Sequence, residues 1–249
     1  MKCLILGAGY ATRLYPLTRE RPKPLLPIGG TPILQRIVEK VYAVGSVDHV
    51  YVVTNHRFAG HYWNWKRDYE SQRKKLPAPI DVFDDLTTSP EDRLGAIGDI
   101  DFVIKNAKID DDLLIISGDN LFDFDLKDFL SLAKKKRAAV CLYDVGSKDL
   151  ASLYGIVSVA KDKRITEFEE KPPAPTSTLA CIGVYFFGKE HVPLIRQYLE
   201  GGGKKDAPGY YIEWLHEQVK LYGWVIPGSW YDIGDIDSYN KANELYVGK

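Results

Sequence analysis

The sequence has few cysteines and no long apolar run, and these two absences exclude several classes of protein. No apolar run approaches the roughly 20 residues that a helix needs to cross a bilayer, so we expect no membrane contact. Cys3, Cys141 and Cys181 lie singly within apolar runs, without the paired spacing of a zinc site or a disulfide framework. We therefore expect reduced, buried thiols in a soluble, cytoplasmic protein, and no signal peptide at the apolar N-terminus.

An excess of positive charge is also lacking. The 249 residues carry 33 Lys and Arg against 34 Asp and Glu, a formal net charge of -1. A nucleic-acid-binding protein usually shows a strong basic excess, so we expect no nucleic-acid partner. The length suits one large domain or two small ones, and we favour a single domain over residues 1–249. The oligomeric state is left open, a homo-oligomer included.

Two common phosphate-binding motifs are absent or incomplete. The P-loop pattern, Gly followed after four residues by Gly-Lys-Ser/Thr, does not occur. The dinucleotide fingerprint G-x-G-x-x-G fits Gly7 and Gly9 but fails at Thr12, where the third glycine should stand. Its acidic partner is missing too, because residues 28–31 read Ile-Gly-Gly-Thr. A nicotinamide- or flavin-dependent enzyme is therefore disfavoured.

The N-terminus does contain a short apolar strand followed by glycines and a basic loop. Residues 3–6 predict a strand that ends at Gly7 and Gly9, where backbone N–H groups become free to face a phosphate. Cations alternate with prolines in the next segment, at Arg13, Pro16, Arg19, Arg21, Pro22, Lys23, Pro24 and Pro27. The prolines fix φ and stiffen the loop. We interpret the loop as a site for a polyanion; a solvated basic loop is the alternative.

The remaining pattern alternates strands and helices. Apolar runs predict strands over residues 49–54, 80–83, 113–116, 138–143, 155–159, 165–169 and 179–187. Helical spacing predicts helices over residues 31–41, 58–69, 94–105, 126–133, 190–200 and 236–246. The alternation favours an α/β fold with a doubly wound, mainly parallel, Rossmann-like mixed sheet. The closely spaced strands after residue 154 predict a mixed or antiparallel extension that forms a second side of a cleft. We expect Thr31 to cap the first helix and Asp235 the last.

Asp119 is the acid whose position most favours ligand binding. It follows the apolar strand at residues 113–116, and open α/β sheets place ligand-binding groups just beyond the carboxyl ends of their strands. An ordinary turn or helix cap is the alternative, because Asp is common in both. On the residues alone the two interpretations are equal.

The N-terminal motif resembles the signature of the sugar-phosphate nucleotidyltransferases, the family that includes glucose-1-phosphate thymidylyltransferases. The match runs from Gly7 through Arg13 and Lys23 to Ile33. Further elements follow in the family's order: Leu-Gly at residues 94–95, Gly-Asp-Asn at 118–120, Tyr-Gly at 154–155, Glu-Lys-Pro at 170–172 and Trp-x-Asp-x-Gly at 230–234. The family usually has a glycine where this chain has Ala11, a residue poorly suited to positive φ.

The resemblance implies a role for each matching position. Residues that would bind the nucleotide are Leu6, Gly7, Ala8, Gly9 and Gly95. Arg13 and Lys23 would be catalytic, through contacts with the triphosphate. Gly155, Glu170 and Lys171 would bind the sugar phosphate, although a solvated strand edge is the alternative for the last two. Asp119 and Asp232 would hold Mg²⁺ together with phosphate oxygens. The nucleotide-binding part would span residues 1–145, and the sugar-binding part with the terminal helix residues 146–249.

The implied reaction joins a nucleoside triphosphate to a sugar 1-phosphate and releases pyrophosphate. Three alternatives remain: a nicotinamide-dependent oxidoreductase, a non-catalytic regulatory subunit that senses nucleotide sugars, and a cytidylyltransferase acting on a phosphorylated amino alcohol such as phosphocholine. Aromatic residues such as Trp63, Tyr210 and Trp214 would suit a cationic acceptor, whereas Glu170 and Lys171 suit a sugar. We favour the sugar. The residues identify neither the base nor the acceptor.

Overall fold

The predicted alternation of strands and helices is present in the computed structural model, which describes residues 1–246. Over these residues the strands are β1 (Lys2–Leu6), β2 (Pro27–Ile28), β3 (Thr31–Pro32), β4 (His49–Thr54), β5 (Ile80–Asp84), β6 (Leu113–Ser117), β7 (Asn120–Phe122), β8 (Ala138–Asp144), β9 (Gly155–Val159), β10 (Ile165–Glu170), β11 (Leu179–Phe187), β12 (Tyr222–Val225) and β13 (Trp230–Asp232). The α-helices are α1 (Ile33–Ala43), α2 (His56–Ser71), α3 (Ala96–Asn106), α4 (Leu126–Lys136), α5 (Lys148–Ala151), α6 (Leu194–Glu200), α7 (Pro208–Gln218) and α8 (Ile236–Tyr246).

The chain forms two compact units, each built from separate stretches of sequence. Unit 1 contains Met1–Leu94, Ile116–Asp123 and the chain from Trp230 onwards. Unit 2 contains Gly95–Ile115 and Phe124–Ser229.

Unit 1 is organised around parallel strands. β1 pairs with β4 from Lys2 opposite His49 to Leu6 opposite Val53, and β4 pairs in parallel with β5. The apolar stripe of α1 is buried, as its helical spacing predicts. α8 lies against β2, and one contact between them is the hydrogen bond that the Tyr239 hydroxyl donates to the Pro27 carbonyl at 2.9 Å. The loop that begins at Gly7 therefore follows a buried parallel strand.

Unit 2 has mixed strand pairing. β8 pairs antiparallel with β11 and parallel with β12, and β9 forms an antiparallel pair with β10. α7 packs against β10. The α/β class with a mixed sheet that contains antiparallel parts is confirmed, and no helix within residues 1–246 is long and apolar enough to cross a membrane.

Three of the predicted helices start later in the structure than predicted, and one of them, α3, predicted from Leu94, begins at Ala96. Thr31 does not cap α1: it pairs with Ile28 in the β2–β3 hairpin, whose turn residues Gly29 and Gly30 have positive φ, and α1 begins only at Ile33. The helix predicted over residues 190–200 begins at Leu194, because the segment before it forms turns. Asp235 does cap α8, since its carboxylate accepts from the Ser238 N–H at 2.8 Å.

The three cysteines are free thiols. Cys3 and Cys141 are fully buried, whereas Cys181 is only partly buried. Burial raises the pKa of all three. They are therefore protonated and poorly nucleophilic at neutral pH.

Candidate active site

Gly7 stands where β1 ends, and the reason for a glycine there is close packing. Its N–H donates to the Val53 carbonyl at 2.8 Å, so this amide extends the sheet pairing and is not free for a phosphate. A Cβ at Gly7 would lie 2.6 Å from the Tyr62 hydroxyl. Gly9 differs, because no described atom lies within 4 Å of the place its Cβ would take. Of the two predicted phosphate-facing glycines, Gly9 is the one with open space beside it.

Two buried side chains hold the loop that follows β1: Tyr62 on α2, and Asn55, the N-cap of that helix. The Tyr62 hydroxyl donates to the Gly7 carbonyl at 2.9 Å, and the Asn55 amide donates to the Ala8 carbonyl at 2.8 Å. Asn55 also accepts from the Phe58 N–H and so caps α2. The sequence pattern predicts neither role. The position of Asn55 between a strand and a helix was the available signal, whereas nothing local distinguishes Tyr62 from a packing aromatic.

The basic loop continues through a backbone conformation that favours glycine. Ala11 has φ 46° and ψ 45°, in the left-handed region, and its carbonyl accepts from the buried Thr18 hydroxyl at 2.7 Å. A short 3-10 helix over Thr12–Leu14 follows and presents Arg13 at the surface. Arg13 makes no ion pair with any side chain in residues 1–246. Its guanidinium is therefore available to an anion.

Lys23 and Asp119, 96 residues apart in sequence, form an ion pair in unit 1. The Lys23 Nζ lies 2.8 Å from Asp119 Oδ2; the lysine side chain is 10% exposed and the aspartate side chain 41%. Gly118 permits this placement: its N–H donates to the Leu6 carbonyl at 2.7 Å, and a Cβ there would overlap that carbonyl. Glycine thus brings the end of β6 against the end of β1, close to the basic loop.

A short strand pair brings the second predicted acid to the same place. β7 begins directly after Asp119, and in its antiparallel pairing with β13 Asn120 stands opposite Asp232. The Trp230 indole N–H donates to the Asn120 side-chain oxygen at 2.8 Å and fixes the pairing. The two predicted magnesium ligands are thus neighbours in space. Within residues 1–246 no group of three or more His, Cys, Asp or Glu side chains could hold a metal, so further ligands would come from a substrate or from water.

Glu170 is the last residue of β10 in unit 2, and Lys171 follows it directly. Glu170 pairs with Gly155 in the β9–β10 ladder, and a Cβ at Gly155 would lie 2.8 Å from the Glu170 carboxylate. Lys171 has φ 52°, and its N–H donates to the Tyr154 carbonyl at 3.0 Å. Burial raises the pKa of Glu170; Lys171 opposes this shift and Glu213 adds to it. The ladder therefore holds the three predicted sugar-phosphate residues together.

Gly95 lies at the start of α3 with φ 79°. A Cβ there would lie 2.6 Å from the Lys205 carbonyl, which accepts from the Ile97 N–H at 3.0 Å. Close packing within unit 2 therefore explains the glycine. Its predicted contact with the base stays a prediction.

Comparisons with known proteins agree on one family. The family model described as nucleotidyl transferase matches residues 2–248. Proteins named bifunctional protein GlmU from Methanocaldococcus jannaschii and Methanococcus vannielii are 31% and 30% identical over 100% and 99% of the chain. The match covers 55% of each, so the chain spans about half the length of these curated relatives.

Solved structures show the same fold. A UDP-glucose pyrophosphorylase complexed with UDP-glucose has a TM-score of 0.80 and 23% identity, over 98% of this chain and 97% of that one. A Bacillus anthracis protein assigned as a glucose-1-phosphate thymidylyltransferase, in complex with sucrose, has a TM-score of 0.78 and 22% identity, over 100% and 96%.

Proposed function

The chain belongs to the nucleotidyl transferase family, and on that premise we propose that it joins a nucleoside triphosphate to a sugar 1-phosphate, giving a nucleotide sugar and pyrophosphate. The observation that carries this proposal is the cluster of Lys23, Asp119 and Asp232 beside the loop that follows β1. A lysine that is almost wholly buried and paired with a half-exposed carboxylate suits a site where phosphate and a cation meet.

The acids fit magnesium by their chemistry. Mg²⁺ is commonly bound by one or two carboxylates together with substrate phosphates. Asp119 and Asp232, which the β7–β13 pairing makes neighbours, would supply carboxylate oxygens, and a triphosphate would supply the rest. When bound, the ion would neutralise charge on the phosphate oxygens.

The remaining chemistry requires placement of charge and no general base. The attacking phosphate oxygen of a sugar 1-phosphate is already anionic, so the barrier lies in bringing polyanions together as the bond to pyrophosphate breaks. Lys23 would bind the α-phosphate. Arg13, exposed and without an ion pair in residues 1–246, would bind the leaving β- and γ-phosphates.

Residues of unit 2 would bind the acceptor. Glu170 would accept hydrogen bonds from sugar hydroxyls, and Lys171 would bind the incoming phosphate. Gly155 would let the sugar lie against the backbone of β9, and Gly95 would approach the base. The proposal includes a cytoplasmic location, supported by the three free thiols, and allows a homo-oligomer.

A crossed activity assay tests the proposal. Pyrophosphate release would be measured with Mg²⁺ for dTTP, UTP, CTP, GTP and ATP, each combined with hexose 1-phosphates and with phosphocholine. We expect release that requires both a triphosphate and a sugar 1-phosphate. Release that occurs with a triphosphate and phosphocholine, but with none of the hexose 1-phosphates, would favour the amino-alcohol alternative. Nucleotide binding without release from any pair would favour a regulatory subunit.

A further inference from the structure

Glu170 occupies space that only a glycine at residue 209 leaves open. A Cβ built on Gly209 would overlap the Glu170 carboxylate and would lie 2.5 Å from its carboxyl carbon. The same carboxylate oxygen, Oε2, would lie 2.8 Å from a Cβ at Gly155. The acid thus lies beside two glycines, one on β9 and one on the first turn of α7.

The backbone on both sides of this contact is fixed. The β9–β10 ladder places Glu170 opposite Gly155, and the Lys171 N–H donates to the Tyr154 carbonyl. α7 is anchored by buried side chains on its inner face: Tyr211, Ile212 and Leu215 are at most 1% exposed. A methyl group at residue 209 would therefore displace the flexible end of Glu170, because neither the strand nor the helix can give way easily.

We propose that Gly209 is a positioning residue for the acceptor site: by leaving room for the Glu170 carboxylate against α7, it sets the direction in which that carboxylate meets the acceptor's hydroxyl groups. This inference rests on the proposed function. It also explains the sequence Ala-Pro-Gly at residues 207–209. The first turn of α7 contains a glycine, although a better helix former would otherwise be favoured there.

Gly209→Ala tests the inference, with Gly201→Ala as a matched control in the same unit. A Cβ at Gly201 would make only ordinary contacts, at 3.4 and 3.5 Å. We expect Gly209→Ala to raise the KM for the acceptor about tenfold or more, which is the effect of losing one good hydrogen bond. The KM for the triphosphate should stay within about twofold, and Gly201→Ala should change neither.

A double-variant cycle separates positioning from general damage. If Gly209 acts through Glu170, Gly209→Ala should add little to the acceptor KM when Glu170→Gln is already present, and Glu170→Asp, one methylene shorter, should recover part of the loss. Additive effects of Gly209→Ala and Glu170→Gln would overturn the inference.

A second readout does not depend on turnover. Carbon-13 NMR of the glutamate carboxyl groups should show the pKa of Glu170 closer to its ordinary value in Gly209→Ala than in the wild type, because displacement returns the carboxylate to water. An unchanged pKa would contradict the inference even if no acceptor were found. Absence of pyrophosphate release by the wild type, with a shifted pKa in the variant, would instead reject the proposed function alone.

Discussion

Lys23 shows at the scale of one residue how a site can keep a positive charge almost out of water. Its side chain is 10% exposed, and the ammonium group depends on one carboxylate, Asp119, that keeps contact with water. Such a preorganised charge binds an anion without first having to be moved or dehydrated. The residue is therefore the most direct test of the proposed chemistry.

We expect Lys23→Ala to lower kcat about 100-fold or more, because the charge on the α-phosphate would no longer be neutralised in the transition state. Stability should change little, since the half-exposed Asp119 stays hydrated. Steady-state pyrophosphate release and thermal unfolding would measure the two effects. Lys66→Ala, which removes a surface ion pair with Glu70 on α2, is the control. A kcat near that of the wild type would disprove the role given to Lys23.

Ala11 makes a second prediction at this scale. A left-handed conformation costs a residue with a Cβ about 1–2 kcal/mol, whereas glycine adds about 0.4–1 kcal/mol of chain entropy to the unfolded state. We expect Ala11→Gly to stabilise the protein by about 0.5–1 kcal/mol in denaturant unfolding. Ala8→Gly, at a position without positive φ, should destabilise it. Equal effects of the two changes would exclude backbone strain as the cause.

At the scale of one element, α2 supports the loop after β1. Asn55 is fully buried and joins the helix start to the Ala8 carbonyl. Helix formation and loop placement are thus coupled through one side chain.

We expect Asn55→Ala to destabilise the protein by about 2–3 kcal/mol, the sum of a lost cap and an unpaired buried carbonyl. Asn55→Ser restores a capping oxygen and should recover only the first part. Chemical denaturation measures both. If Asn55→Ser were as stable as the wild type, the hydrogen bond to the Ala8 carbonyl would contribute nothing to the free energy of unfolding.

Arg137, at the C-terminal end of α4, binds two carboxylates in unit 2. Its guanidinium donates to Asp112 at 2.6 and 3.0 Å and to Glu190 at 2.7 and 2.8 Å. Hydrogen bonds from Arg137 lower the pKa of Glu190 to about 2. Burial would raise the pKa of Asp112, but Arg137 and the Lys189 N–H lower it overall.

This network predicts a pH dependence with a defined sign. The folded-state pKa of Glu190 lies below the value of about 4.3 in an unfolded chain. Its stabilising contribution is therefore complete above that value and is lost as the pH falls towards about 2. The difference in Tm between wild type and Glu190→Gln should be largest above about pH 5 and shrink on acidification. Glu217→Gln, at an exposed position of α7, is the control, and a difference independent of pH would refute this account.

Elements determined by local signals could be predicted from the sequence. The bounds of α8 and β11 match because a cap or an apolar run defines them. The prediction that Thr31 caps α1 is wrong because a Thr-Pro pair is typical of a helix start. Here Thr31 instead pairs with Ile28 across a turn formed by two glycines. In the candidate site, motif order predicted Lys23, Asp119 and Asp232 as site residues, but not their contacts, which depend on long-range pairing. Asn55 leaves a local signal only for its cap, at a strand–helix junction, whereas its contact with Ala8 and the contact of Tyr62 with Gly7 are tertiary.

At the scale of the whole molecule, ligand binding should stabilise the fold. We expect a matching triphosphate with Mg²⁺ to raise Tm, since a ligand at 100 times its Kd adds about 2.7 kcal/mol of stability. Asp232→Asn should remove the part of the shift that depends on Mg²⁺. A nicotinamide cofactor should give no shift. Stabilisation by that cofactor in place of the triphosphate would favour the oxidoreductase alternative.

The late return of the chain to unit 1 has a consequence for synthesis. β7 pairs with β13, more than a hundred residues later. On the ribosome, β1, α1, β4 and α2 emerge well before β13 and can pack together, while Asp119 gains its neighbour Asp232 only after residue 232 has been translated. A nascent chain arrested before residue 230 would therefore expose Asn120 and the unpaired edge of β7. If the proposed function holds, we expect magnesium-dependent nucleotide binding to arise only when elongation resumes.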